Sequence, residues 1–135
     1  MAQSNVQDGS YPSGRQVVGF TGTIARTDTA AKSLFVLPSA CIPLAIQYSS
    51  LAASNAATTA TLSVGKSGGT GVEYINAADV KTAATGAGQV TPNGPAASLL
   101  GQIATASQIV TGIYAETGGA SSTGGPWVVT ILAIV

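Results

Sequence analysis

The chain has no histidine, a single cysteine and only 7% charged residues, against about a quarter charged in an ordinary soluble domain. Each shortage excludes something. Without histidine, no side chain titrates near neutral pH on its ordinary pKa, and the many serine and threonine hydroxyls have no imidazole to activate them. With Cys41 alone, no internal disulfide can form, and the thiolate and imidazole donors of a zinc site are missing. Cys41 sits beside Ile42, Pro43 and Leu44, which places it in a core as an inert thiol. Five basic and five acidic residues leave a formal net charge of zero. No basic patch is available to neutralise phosphates, which excludes nucleic acid as a partner. The longest apolar run, residues 127–135, is broken by Thr130 and is far too short for a membrane-spanning helix. Residues 1–5 are polar and lack the basic-then-apolar order of a signal peptide, so the expectation is a chain made without a secretory route. These absences predict no catalytic residue, no metal, no cofactor and no small-molecule substrate.

What is present is alanine, serine, threonine and 17 glycines between short β-branched runs. A chain of 135 residues suffices for one domain that buries about two-thirds of its unfolded surface. Residues 1–15 form a polar arm and residues 16–135 the domain. From Gln16 onward the pattern has period two. Val18, Phe20, Gly22 and Ile24 share one face. Residues 34–37 form a short apolar strand closed by Pro38. Ile42, Leu44, Ile46 and Tyr48 alternate, as do Ala60, Leu62 and Val64. Residues 72–75, 109–116 and 127–135 complete the set. Glycine- and proline-rich turns separate the runs, at 65–71, 86–88, 92–95 and 118–126. This predicts an all-β, antiparallel β-sandwich or barrel. The expected core is Phe20, Ile24, Val36, Leu44, Ile46, Leu62, Val64, Ile113, Val129 and Ile131. Asn76 is placed to cap a helical turn over 77–83, and 96–103 is a second short helical candidate. The last strand is apolar on both faces, so it reads as a central strand with a covered outer face.

Three features invite a functional reading. Gly65-Lys66-Ser67 resembles the end of a phosphate-binding loop. However, Ala60 stands where the motif needs glycine, and Gly68, Gly69 and Gly71 cannot sustain the helix that must come next. A hairpin loop is the better reading. Glu73 and Asp79 are a carboxylate pair of the kind used in glycoside hydrolysis, but Lys81 stands ready to pair with either, and a surface role is favoured. Trp127 and Tyr114 offer rings that could stack on a sugar, or anchor a core or an interface. Near-zero net charge gives little protection against self-association. Tyr11 and Arg15 of the arm, together with Trp127, are the expected interface residues.

Four runs carry a resemblance. The first, residues 56–65, passes through Thr58, Thr59, Leu62 and Val64 to Gly65. A glycine loop then leads to residues 74–83, with Tyr74, Asn76, Asp79 and Lys81. Residues 114–118 hold Tyr114, Glu116 and Gly118, and residues 124–131 run from Gly124-Gly125-Pro126-Trp127 to Ile131. Over residues 17–135 the chain resembles the head cement or decoration proteins of short-tailed bacteriophages. The resemblance implies a jelly-roll sandwich on the outer surface of the capsid, made in the host cytoplasm during assembly. It implies the major capsid protein as a partner. Near-zero net charge, the apolar final strand and the polar arm add the expectation of a homo-oligomer, a dimer rather than a trimer, because two-fold closure is the commonest arrangement. No family site residue carries over. Two other classes stay open: a receptor- or carbohydrate-binding module of a phage fibre or tail, and a small shell-forming coat protein. Coats that contact a genome usually bring a basic arm, whereas residues 1–15 hold only Arg15 against Asp8.

Overall fold

A computed structural model of the chain describes residues 16–88, 107–118 and 123–135. Its elements are eight strands: β1 (Val17–Ile24), β2 (Lys32–Leu37), β3 (Ile42–Ser49), β4 (Thr59–Lys66), β5 (Ile75–Asp79), β6 (Thr85–Ala87), β7 (Gln108–Thr117) and β8 (Trp127–Ile134). They form two four-stranded sheets, ordered β1-β8-β3-β6 and β2-β7-β4-β5. Every pairing is antiparallel. β1 pairs β8, β2 pairs β7, β3 pairs β6 and β4 pairs β5. That is one long antiparallel hairpin rolled into a sandwich, with its tip at the β4–β5 turn. The predicted all-β antiparallel sandwich is therefore present, and its strand order is that of a jelly roll.

The core lies between the sheets. β8 contributes Trp127, Val129, Ile131 and Ala133, all with 0% exposure. Ile24 joins them from β1, and Leu37, Leu62, Val64, Val110 and Tyr114 come from the facing sheet. Gly112 is required by close approach, because a Cβ there would overlap the Ile24 side chain. Cys41 is buried, and burial raises its thiol pKa, in keeping with an inert core thiol.

Several expectations need correction. Residues 77–83 are not helical. Asn76 to Asp79 belong to β5, where Thr61 faces Asp79 and Leu62 faces Ala78. Pairing along β4 supplies hydrogen bonds that a single isolated helical turn lacks. Of residues 72–75, only Ile75 is in a strand, and the 86–88 turn contributes to β6 instead. Val36 is 50% and Leu44 37% exposed. In both strands the register slips, between Ser33 and Phe35 in β2 and between Pro43 and Ala45 in β3. A bulge adds one residue and reverses the facing of the residues beyond it. Pro43 is consequently buried and Leu44 turns out. In β7 the inward set is Val110, Gly112 and Tyr114, which leaves Ile113 half-buried, and Phe20 is half-buried as well. The 96–103 candidate and the arm at 1–15 lie outside the described residues.

Candidate functional site: an uncharged sheet and its edges

Charge is segregated between the two sheets. The described chain holds Arg26, Asp28, Lys32, Lys66, Glu73, Asp79, Lys81 and Glu116 as its ionisable acids and bases. None lies on β1, β8, β3 or β6. The outer face of that sheet presents Val17, Gly19, Thr21 and Thr23 of β1 beside Ile134, Leu132, Thr130 and Val128 of β8. Ala45, Gln47 and Ser49 of β3 continue it. Val17, Val128 and Leu132 are 58%, 41% and 43% exposed. The outer face of the last strand, expected to be covered, is thus left exposed by the described residues, as a neutral surface of apolar and small polar side chains.

All four described carboxylates have structural tasks. Asp28 accepts from the Ala25 N–H at 2.7 Å and from Lys32 Nζ at 2.9 Å. Those bonds hold its pKa below the ordinary value. Asp79 closes the turn after β5, accepting from Lys81 N–H at 2.8 Å and Thr82 Oγ1 at 2.7 Å. Its pKa is lowered by these bonds, the Thr82 hydroxyl first. Glu116 pairs with Arg26 and accepts from the Tyr114 hydroxyl at 3.0 Å. Glu73 clamps the β4–β5 turn, accepting from Lys66 N–H at 2.7 Å, Thr70 Oγ1 at 2.6 Å, Gly71 N–H at 3.2 Å and also Thr70 N–H. Partial burial pushes its pKa up, but the bonds from Thr70 and Lys66 outweigh that and bring it down to about 2. Gly68 and Gly71 take positive φ in this turn, as a tight loop requires. The lysine-bearing loop is a hairpin connection, as the sequence indicates.

The candidate acid pair does not come together. Glu73 precedes β5, and Asp79 ends it. Glu73 is bonded to Lys66 N–H at one end of β4, whereas Asp79 faces Thr61, and that stretch of strand spans about 16 Å, beyond the roughly 5–9.5 Å between paired glycosidase carboxylates. Nor are the aromatics free. Tyr114 and Trp127 stack on each other with centroids 5.0 Å apart and planes at 18°. Both are 0% exposed, so neither is a platform for a sugar. Trp127, expected at an interface, is a core residue of this chain, because its place in β8 turns it inward with Val129. Tyr11 and Arg15 lie outside the described residues. Sequence reasoning missed the network that ties Tyr114 down. Its hydroxyl meets Ser54 Oγ at 2.7 Å, and that oxygen in turn accepts from the Ala56 N–H at 3.2 Å. Partners 60 and 90 positions apart leave no local signal.

Among the described residues, clefts open on the surface at two places. One, of about 360 Å³, lies between the β4–β5 turn and β6 and is lined by Glu73, Asn76, Ala78 and Gly88 among others. Its one acid is the turn clamp. The other, of about 480 Å³, is lined by Ser49, Ser50, Leu51, Gly125, Pro126 and Val128 and carries no ionisable group. Among the described residues, no cluster of three or more histidines, cysteines or acids is placed to hold a metal.

No protein-family model matches the chain, and no curated protein matches it. Solved structures do. A chain of the cyanophage Pam1 capsid asymmetric unit is similar at 23% identity and a TM-score of 0.65, covering 90% of this chain and 85% of that one. A chain of the capsid of Ralstonia phage GP4 is similar at 20% identity and a TM-score of 0.61, covering 91% and 84%. A chain of the acidic stable capsid structure of Helicobacter pylori bacteriophage KHP30 is similar at 15% identity and a TM-score of 0.60, covering 90% and 93%. These likenesses establish a shared fold over nearly the whole length of each chain.

Proposed function

We propose that this chain is a structural virion protein, a cement or decoration protein seated on the outside of a bacteriophage head, where it stabilises contacts between major capsid protein subunits. The observation that carries the reading is the match, over about nine-tenths of this chain, to chains from three phage capsid structures. The chemistry of the chain is consistent with it. Its described carboxylates hold turns and strands together, and one of its two sheets carries no charged residue. A cement protein adds buried area where capsid subunits meet. Many copies make each weak contact count, since linked contacts act at high effective concentration. Rigidity and neutral surfaces serve that task better than ionisable groups. In this reading the chain is not an enzyme, and residues 1–15 are an arm that runs along a neighbouring chain, with Tyr11 and Arg15 at the contact.

The test is add-back to particles that lack the chain. The intact protein should bind them to saturation and raise the temperature at which they release DNA. A form lacking residues 2–14 should keep its fold yet bind less. Failure of the intact protein to bind would defeat the capsid reading, and equal binding by both forms would defeat the role of the arm.

A further inference from the structure

The two sheets have four edge strands, and three of them are blunted. β6 is only three residues long. β5 has five residues, a register shift and the left-handed Ala77 at φ 49. β2 opens on Lys32 and is also shifted. Short length, bulges and lysine are the devices by which native edges avoid pairing. β1 has none of them. Its eight residues contain no charge and no proline, and they pair with β8 in unbroken register. Among the described residues, no strand pairs with its other side.

The free side can be assigned residue by residue. Gln16 and Val135 exchange both backbone hydrogen bonds, at 3.4 and 2.9 Å. Alternation along an antiparallel ladder then makes Val18, Phe20, Gly22 and Ile24 the residues that bond β8. The N–H and C=O groups of Val17, Gly19, Thr21 and Thr23 point the other way. Lys32 gives the same parity independently, since its Nζ donates to Thr23 O at 3.0 Å. That lysine closes one end of the edge, and among the described residues Val17, Gly19 and Thr21 have no strand partner on this side. Beside them, Phe20 and Phe35 stack at 6.2 Å and are only half-buried.

We propose that this open edge pairs antiparallel with β1 of a second copy, across a two-fold axis at Gly19, to make one continuous sheet of the two uncharged sheets. The open groups match themselves. With Gly19 facing its own copy, Val17 faces Thr21 and Thr21 faces Val17, and each facing pair exchanges two backbone hydrogen bonds. Between Val17 and Thr21 neither side brings a charge, and the second copy would cover Val17, which is 58% exposed. The axis falls on the residue with no side chain. The inference goes beyond the capsid reading, and its test needs no particle, so the two stand or fall separately.

Thr21→Pro is the discriminating variant. It deletes an N–H that points away from β8, and proline is tolerated at such edge positions. Sedimentation of the intact chain over a range of concentrations should show a monomer–dimer equilibrium. The variant should need at least about tenfold higher concentration to dimerise, since two-fold symmetry loses the bond twice. In the parent, the Gly19 and Thr21 amides should be protected from hydrogen exchange in the dimer and lose that protection on dilution. A parent that stays monomeric, a folded Thr21→Pro variant that dimerises like the parent, or fast exchange at Gly19 and Thr21 within the dimer would each overturn the proposal. Protection of those amides in the monomer would also overturn it, because the chain's own residues would then occupy the edge. The exchange measurement decides the matter even if the proline variant fails to fold.

Discussion

Glu73 shows how this chain uses its few charges. Its carboxylate is half-buried in a turn, where bonds from Lys66, Thr70 and Gly71 converge on it. They hold its pKa at about 2, below the ordinary 4.5. As pH falls, the unfolded chain takes up the proton first, so this stabilisation is whole above about pH 4.5 and is lost as pH falls toward about 2. Asp28 and Asp79 are shifted in the same direction. Melting midpoints should therefore fall through this window. The Glu73→Gln variant should be less stable at neutral pH by about 1–2 kcal/mol, a value discounted for the exposure of the group. Its melting midpoint should also fall less steeply with acid than the parent's. Superimposable pH profiles for parent and variant would remove Glu73 from the role of clamp. Nothing local in the sequence marks this residue, since glutamate in a glycine-rich loop usually reads as a solvated charge.

Among the elements, regular alternation was legible and its interruptions were not. β1 and β4 can be read directly from their period-two patterns, because one buried face fixes every second residue, and β8 from an apolar content on both faces that marks a central strand. β3 cannot, since the bulge after Pro43 moves Leu44 outward while Ile46 and Tyr48 stay in the core. β5 misleads for another reason. Asn76, two alanines and Asp79 are good helix-start material, and only the distant partner β4 makes them a strand. The same non-locality hides the Arg26–Glu116 pair and the Ser54–Tyr114 bond. The bulges make a quantitative prediction. Leu62→Ala or Ile131→Ala should cost about 2–5 kcal/mol, through lost transfer energy and a residual cavity. Val36→Ala and Leu44→Ala should each cost less than about 1 kcal/mol, because those side chains already face water. Denaturant titrations of the four variants check this, and a Leu44 variant as costly as the Leu62 one would contradict the bulged register.

At the scale of the molecule, the strand order decides the surface. Rolling one hairpin into a sandwich places β1, β8, β3 and β6 side by side, and these are the strands without charge. The ionisable groups fall on the other sheet and the turns, each described acid with a structural partner. Among the described residues the molecule therefore offers its surroundings a neutral sheet, one unguarded edge and no assembled set of reacting groups, which suits a component of a shell. The most direct measurement of that account is the ratio of this chain to the major capsid protein in purified phage particles. The account predicts a fixed ratio, reproduced between preparations and retained through density-gradient purification. A chain that is absent from the particles, or present in trace amounts that vary between preparations, would contradict it.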